Sequence, residues 1–201
     1  NQKPDAILED REKTSFARMM PTSNESYPVT LYIDTDGENG IPGASWGISG
    51  NFNCPKPTSS QLPSAKKDSI WKMVVEDFAT FNVVVVKTLA EFQNAQGLKM
   101  QIILTNKTAQ IQASPILSGV PGAAYISSIL WQNGTVCFVF ANEFSGPDRY
   151  KKIAEAITHE LGHVFGLFHQ KEPNTNFEYR FPSSNLLYGA IMGNGYQARF
   201  T

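Results

Sequence analysis

The sequence predicts an α+β fold: a twisted, mostly parallel five-stranded sheet with one antiparallel edge strand, two long helices, and an irregular C-terminal lobe. Three observations carry this prediction. Short β-branched and aliphatic runs alternate with a long amphipathic stretch, the pattern of an α/β-like upper lobe. Asn133-Gly134 separates two apolar runs, the signature of a chain that doubles back. Beyond Gly166 all periodicity gives way to a polar, Gly- and Pro-containing segment that runs to Thr201.

Residues 1–27 carry dispersed charge, Pro4, Pro21 and a polar cluster at 22–26, and read as a leader or propeptide remnant. Val29, Leu31 and Ile33 then alternate with Thr30 and Tyr32 as a first strand, stopped by the turn Asp34-Thr35-Asp36-Gly37. The Gly-, Pro-, Ser- and Asn-rich stretch 38–64 reads as one long loop. Ser64 is the expected N-cap of a helix reaching about Phe81, with Ile70, Trp71, Val74, Val75 and Phe78 on one face. Residues 83–86 and 100–104 have the composition of strands buried on both sides, and a helix between such strands implies a right-handed crossover and parallel pairing. Strands at 123–130 and 136–141 follow, joined by the Asn133-Gly134 hairpin. Pro147 opens a second helix that buries Ile153, Ala156, Ile157, Leu161 and Val164. The main unit is therefore 28–201, with an upper lobe over about 28–166 and a lower lobe over about 167–201.

The bulk composition narrows the partner classes. Seventeen Lys and Arg against eighteen Asp and Glu leave a net charge of −1, so nothing in the bulk composition points to a nucleic-acid or anionic-membrane partner. No apolar run approaches the roughly 20 residues of a membrane span. The chain starts at Asn1 with no charged region followed by an apolar one, so a processed or trimmed start is expected. A monomer is the favoured state. Cys54 and Cys137 could form one disulfide, stay as free thiols, or ligate a metal.

The chemistry is concentrated in one run, His159-Glu160-Leu161-Gly162-His163-Val164-Phe165-Gly166-Leu167-Phe168-His169. Residues four apart lie one helical turn apart, so His159 and His163 can present two imidazoles to one ion. Gly166 can adopt angles closed to other residues, ending the helix so that His169 returns from another side. Three neutral imidazoles suit Zn²⁺ and leave a fourth position open for water, whose proton Glu160 can accept and pass to a leaving amine. The chain holds only three histidines, and all three fall on these ligand positions.

At these residues the sequence resembles the metzincin clan of zinc peptidases, whose eleven-residue motif is followed by a Met-turn. Tyr188-Gly189-Ala190-Ile191-Met192-Gly193 looks like that turn, with Met192 as the apolar base beneath the ligands. A nearer likeness is to bacterial secreted metzincins, carried by Tyr32-Ile33-Asp34-Thr35-Asp36-Gly37, by Trp71 with Val75-Glu76-Asp77-Phe78 and Phe81-Asn82-Val83, and by Gly195-Tyr196 after the Met-turn. The resemblance implies a metzincin-like catalytic domain: a secreted zinc endopeptidase acting on protein or peptide substrates. Two departures stand out. Gln170 follows the third ligand where the best-known families carry Asp, Glu, Ser or Pro, and Asn194 stands where some place a tyrosine. Tyr188 and Tyr196 are the nearest tyrosines that could stabilise an oxyanion, against the plainer role of packing or surface residues.

Other readings stay open at this stage. The zinc could be closed by a fourth protein ligand such as a cysteine, giving an inactive binding module, or the enzyme could be an amidohydrolase acting on non-protein amides. Ala123, Ala124 and Tyr125 would form a substrate edge strand, with Gly119 and Gly122 leaving room for close approach, or would simply be a strand with small residues near a turn. Asp34 to Glu38 offers a fragment of a calcium loop, though a plain turn is the expected reading. Latency could come from Cys54, or from Asp5 or Asp10 in the leader, in place of solvated or buried side chains without that role.

Overall fold

The structure is a computed structural model that describes residues 6–8, 27–170 and 191–193. Its strands are β1 (Ala6–Leu8), β2 (Val29–Asp34), β3 (Glu38–Pro42), β4 (Asn51–Cys54), β5 (Val83–Val86), β6 (Lys99–Thr105), β7 (Gly122–Tyr125) and β8 (Val136–Phe140). Its helices are α1 (Ser64–Asp77), α2 (Leu89–Asn94), α3 (Ala109–Gln112) and α4 (Arg149–Val164).

The five-stranded body expected from the sequence is present in the order β7-β8-β6-β2-β5, and β1 adds a sixth strand outside β7. β5, β2, β6 and β8 are mutually parallel, β7 runs antiparallel to β8, and β1 lies parallel to β7. Period-two alternation sends neighbours to opposite faces. Ile102, Leu104, Cys137 and Val139 thus join one apolar layer with Ile70, Val74, Ile153, Ile157 and Leu161 from α1 and α4. Ile103, Phe138 and Phe140 face the other way, onto Trp46, Phe52, Ile111 and Leu117. Burying each of these large side chains contributes roughly 1.5–3 kcal/mol.

The two long helices share the first layer. α1 is tied to the edge strand by Trp71 Nε1, which donates to the Val85 carbonyl at 3.1 Å, and to α4 by Thr158 Oγ1, which donates to Asp77 Oδ2 at 2.6 Å. From Ala156 to Val164 every residue of α4 is buried, apolar or not. A helix buried all round lies between layers rather than on a surface, and this one carries the histidine motif.

Several local expectations are corrected. The stretch 38–64 is not a bare loop, because β3 and β4 pair as an antiparallel hairpin whose Trp46, Phe52 and Cys54 fill the second layer. The N-cap of α1 is Pro63, not Ser64, with no side-chain cap, and the helix stops at Asp77. β5 is an edge strand with Val84 45% exposed, so its run of valines is not buried on both sides. The strand expected over 123–130 ends at Tyr125, and Asn133-Gly134 lies within a longer connection to β8, so it is not a tight hairpin turn. α4 begins at Arg149, two residues beyond Pro147. Cys54 and Cys137 are free and buried in opposite layers with the sheet between them, which rules out their pairing. Among the described residues no helix is long and apolar enough to cross a membrane.

Candidate metal centre

The last turn of α4 and the segment after it bring the three histidines together. Phe165 N–H donates to Leu161, Gly166 N–H to the His163 carbonyl at 2.8 Å, and Leu167 N–H back to the Gly162 carbonyl at 2.9 Å. This is the Schellman arrangement, and it needs the left-handed residue that Gly166 supplies at φ 94°. The chain reverses there and carries His169 back over the helix. His169 Nε2 then lies 3.1 Å from His159 Nε2 and 3.0 Å from His163 Nε2. Among the described residues this is the one His/Cys/Asp/Glu group whose ligand atoms converge, all within 4.8 Å of one another.

The rings are oriented from behind. His159 Nδ1 donates to the Ile191 carbonyl at 2.6 Å and His163 Nδ1 to the Leu167 carbonyl at 2.7 Å, the pairing that an acceptor-only carbonyl imposes. With its proton on Nδ1, each of these two rings presents an Nε2 lone pair to the shared centre. Burial first, then His163 and His159, push His169 down to about 2, which favours the neutral form of that ring. Lone pairs about 3 Å apart repel unless a cation lies between them. Nitrogens around a tetrahedral zinc at about 2.05 Å would be about 3.3 Å apart, so the cluster fits that ion closely.

The Ile191–Gly193 turn is part of the same assembly. Gln170 N–H donates to the Met192 carbonyl at 2.7 Å, fastening the turn beside His169. Met192 is buried, and a Cβ at Gly162 would clash with its Sδ, so the helix admits the thioether because residue 162 has no side chain. Around the buried imidazoles Leu167, Phe168 and Ile191 stand exposed as an apolar rim.

Glu160 is 1% exposed and packs against the first residue of β7. A Cβ on Gly122 would stand 2.5 Å from Glu160 Oε1 and 2.8 Å from its Cδ and Cγ, so the carboxyl fills the space that glycine leaves. Behind β7, Ser127 N–H donates to the His163 carbonyl at 2.9 Å, joining strand and helix again. The carbonyls of Ile191, Leu167 and Met192 and the contact at Gly122 left no mark in the sequence, since backbone acceptors belong to every residue.

Other sequence candidates lie apart from this centre. Ala123 and Ala124 are buried in β7 and Tyr125 is half-buried, its hydroxyl donating to the Ser45 carbonyl at 2.6 Å, and all three are paired with β1. The Asp34 to Glu38 turn spends its carboxylates on protein groups. Gln101 Nε2 donates to Asp34 Oδ2 at 2.9 Å and to Glu38 Oε2 at 3.4 Å, and Asp36 pairs with Lys67 and Lys56. Among the described residues these carboxylates do not belong to a converging group of three or more His, Cys, Asp or Glu side chains. Cys54 and Cys137 are both outside the metal group, and burial raises both thiols, Cys54 to about 12. Tyr188, Tyr196, Asn194, Asp5, Asp10 and most of the expected lower lobe lie outside the described residues.

No protein-family model and no curated protein matches the chain. Among solved structures it is similar to archaemetzincin from Methanopyrus kandleri, with a TM-score of 0.39 and 19% identity over 82% of this chain and 86% of that one.

Proposed function

We propose that the chain is a zinc-dependent endopeptidase in which His159, His163 and His169 hold the ion and Glu160 is the general base, with Ile191–Gly193 serving as a Met-turn. One observation carries the reading: three buried Nε2 atoms, at least two of them fixed as lone pairs by backbone carbonyls, converge within metal-binding distance beside a buried carboxylate on the same helix. Zinc held there supplies Lewis acidity, lowering the pKa of water toward about 7 and polarising a carbonyl oxygen.

The chain's own groups then have distinct tasks. Glu160 follows the first ligand directly and is buried beside it. It can take a proton from water and return it to the departing amine. The carbonyls of Ile191 and Leu167 hold two of the imidazoles in the ligating tautomer, and β7 offers an extended main chain along which a peptide can lie. Leu167, Phe168 and Ile191 give apolar substrate side chains a surface next to the centre. A binding module with a closed ion would need a fourth protein ligand, and neither cysteine belongs to the converging group.

The test is Glu160→Gln in zinc-loaded protein assayed with a peptide library. We expect zinc at one ion per chain and kcat lower by about a thousandfold, since both proton transfers lose their carrier. Turnover equal to the parent would remove Glu160 from this role, and turnover of small amides alone would move the substrate class to non-protein amides.

A further inference from the structure

At the N-terminal ends of β6 and β8 lies a cavity of about 140 Å³. Lys99 and Gln101 line it from β6, and Ser128, Gln132, Asn133 and Thr135 line it from the connection between β7 and β8. Phe92 of α2, stacked on Tyr32 with ring centroids 5.5 Å apart, adds an apolar wall. None of the lining residues is a carboxylate, a histidine or a cysteine, so the cavity is distinct from the metal centre. The connection is held in an unusual shape. Ser127 at φ 64° and Gln132 at φ 47° are the non-glycine residues with left-handed backbone among the described residues, and both belong to it. Such conformations persist only where the surroundings enforce them, and they gather at binding sites. Here Gln132 Nε2 donates to the Ile129 carbonyl at 2.6 Å and Thr135 N–H donates to Asn133 Oδ1 at 3.0 Å. A wall fixed in this way loses little freedom when a ligand arrives.

The lining selects among ligand classes. A metal ion would find no carboxylate, imidazole or thiolate there. An anion would meet one cation, Lys99, whose ammonium already lies 3.4 Å from the Phe92 and Gln93 carbonyls and 5.3 Å over the Phe92 ring. Behind Gln101 that anion would also face the Asp34 and Glu38 carboxylates, to which Gln101 Nε2 donates. A purely apolar molecule would strip water from amides and hydroxyls and return no hydrogen bond. Amides and hydroxyls both donate and accept, which matches a ligand whose own groups do both. An apolar cavity of roughly 150 Å³ takes a benzene ring, so this one has room for a single six-membered ring. We propose that the cavity binds one neutral sugar ring, its hydroxyls on the amide and hydroxyl side chains and its carbon face toward Phe92. The proposal does not rest on the peptidase reading.

The test is a titration of the full, isotope-labelled chain followed by backbone amide shifts. The probes are methyl glucoside, methyl mannoside and N-acetylglucosamine, with sodium sulfate and N-acetylglutamine amide as alternatives. At least one sugar should saturate with a dissociation constant on the order of millimolar, the affinity of a ligand of about a dozen heavy atoms. The shifts should be confined to residues 99–101 and 128–136. Thr135→Val and Lys99→Met should each weaken that sugar by about tenfold, the worth of one hydrogen bond. Saturation by sulfate alone or by the amide alone assigns the cavity to another ligand class and overturns the proposal. Shifts that never saturate, or that scatter over the surface, overturn it as well. Should the variants not fold, the shift map of the parent decides by itself, because it locates the bound sugar.

Discussion

Gly122→Ala tests the coupling between strand and base directly. The added methyl would sit 2.5 Å from Glu160 Oε1, and carbon and oxygen in ordinary contact need about 3.4 Å, so a gap of about 0.9 Å must open. Glu160 is enclosed, so its carboxyl must swing aside or β7 must yield. A reacting group misplaced by about 1 Å costs on the order of a hundredfold in rate. Overpacking costs about 1–3 kcal/mol of stability, against about 0.4–1 kcal/mol returned by the less flexible unfolded chain. The imidazoles are braced by Ile191 and Leu167, not by β7, so zinc affinity should not change. The assay is kcat and KM on a cleaved peptide, with zinc content and melting temperature measured on the same protein. We expect kcat down about a hundredfold, KM and zinc within about twofold, and a modest loss of Tm. Parental kcat in a folded, zinc-loaded variant would refute the positioning argument, and lost zinc would show that the strand supports the ligands instead.

Two further outcomes follow from the same geometry. Because the ion would bind the folded cluster and not the separated histidines, zinc at a hundred times its dissociation constant should stabilise the fold by about 2.7 kcal/mol, read as a rise in Tm that a chelator reverses; an unchanged Tm would count against a preformed site. Burial lifts the Cys54 thiol from 9.0 to about 12, so the folded state binds its proton more tightly than the unfolded one, and that stabilisation is complete below about 9 and lost as pH climbs through 12. Denaturant titrations over that range should show a steeper alkaline decline for the parent than for Cys54→Ala, and matching slopes would contradict it.

How much could be read from the residues alone depended on how local each feature is. The histidine helix was legible because ligands four apart need only helical geometry, and Gly166 announced the reversal because few other residues take φ 94°. The five strands of the body were legible as apolar runs. Whether a run is central or at an edge is a property of the sheet, which is why the valines of β5 misled. The β3–β4 hairpin hid among turn residues, its alternation of Phe52 and Cys54 with Asn51 and Asn53 too short to stand out. Thr88 and Glu91, which form a capping box for α2, were a readable signal that went unread. The meeting of β1 with β7, and of Gly122 with Glu160, joins segments distant in sequence, and no local pattern encodes such neighbours.

The placement of the two sulfhydryls on either side of the sheet has a practical corollary. Neither can reach the other, a reagent or glutathione while the layers stay closed, so the fold has no covalent staple for a reducing compartment to cut and no oxidised form to misassemble. Chemical labelling at sulfur would therefore proceed only as fast as the layers part, turning these two atoms into a built-in clock for global opening.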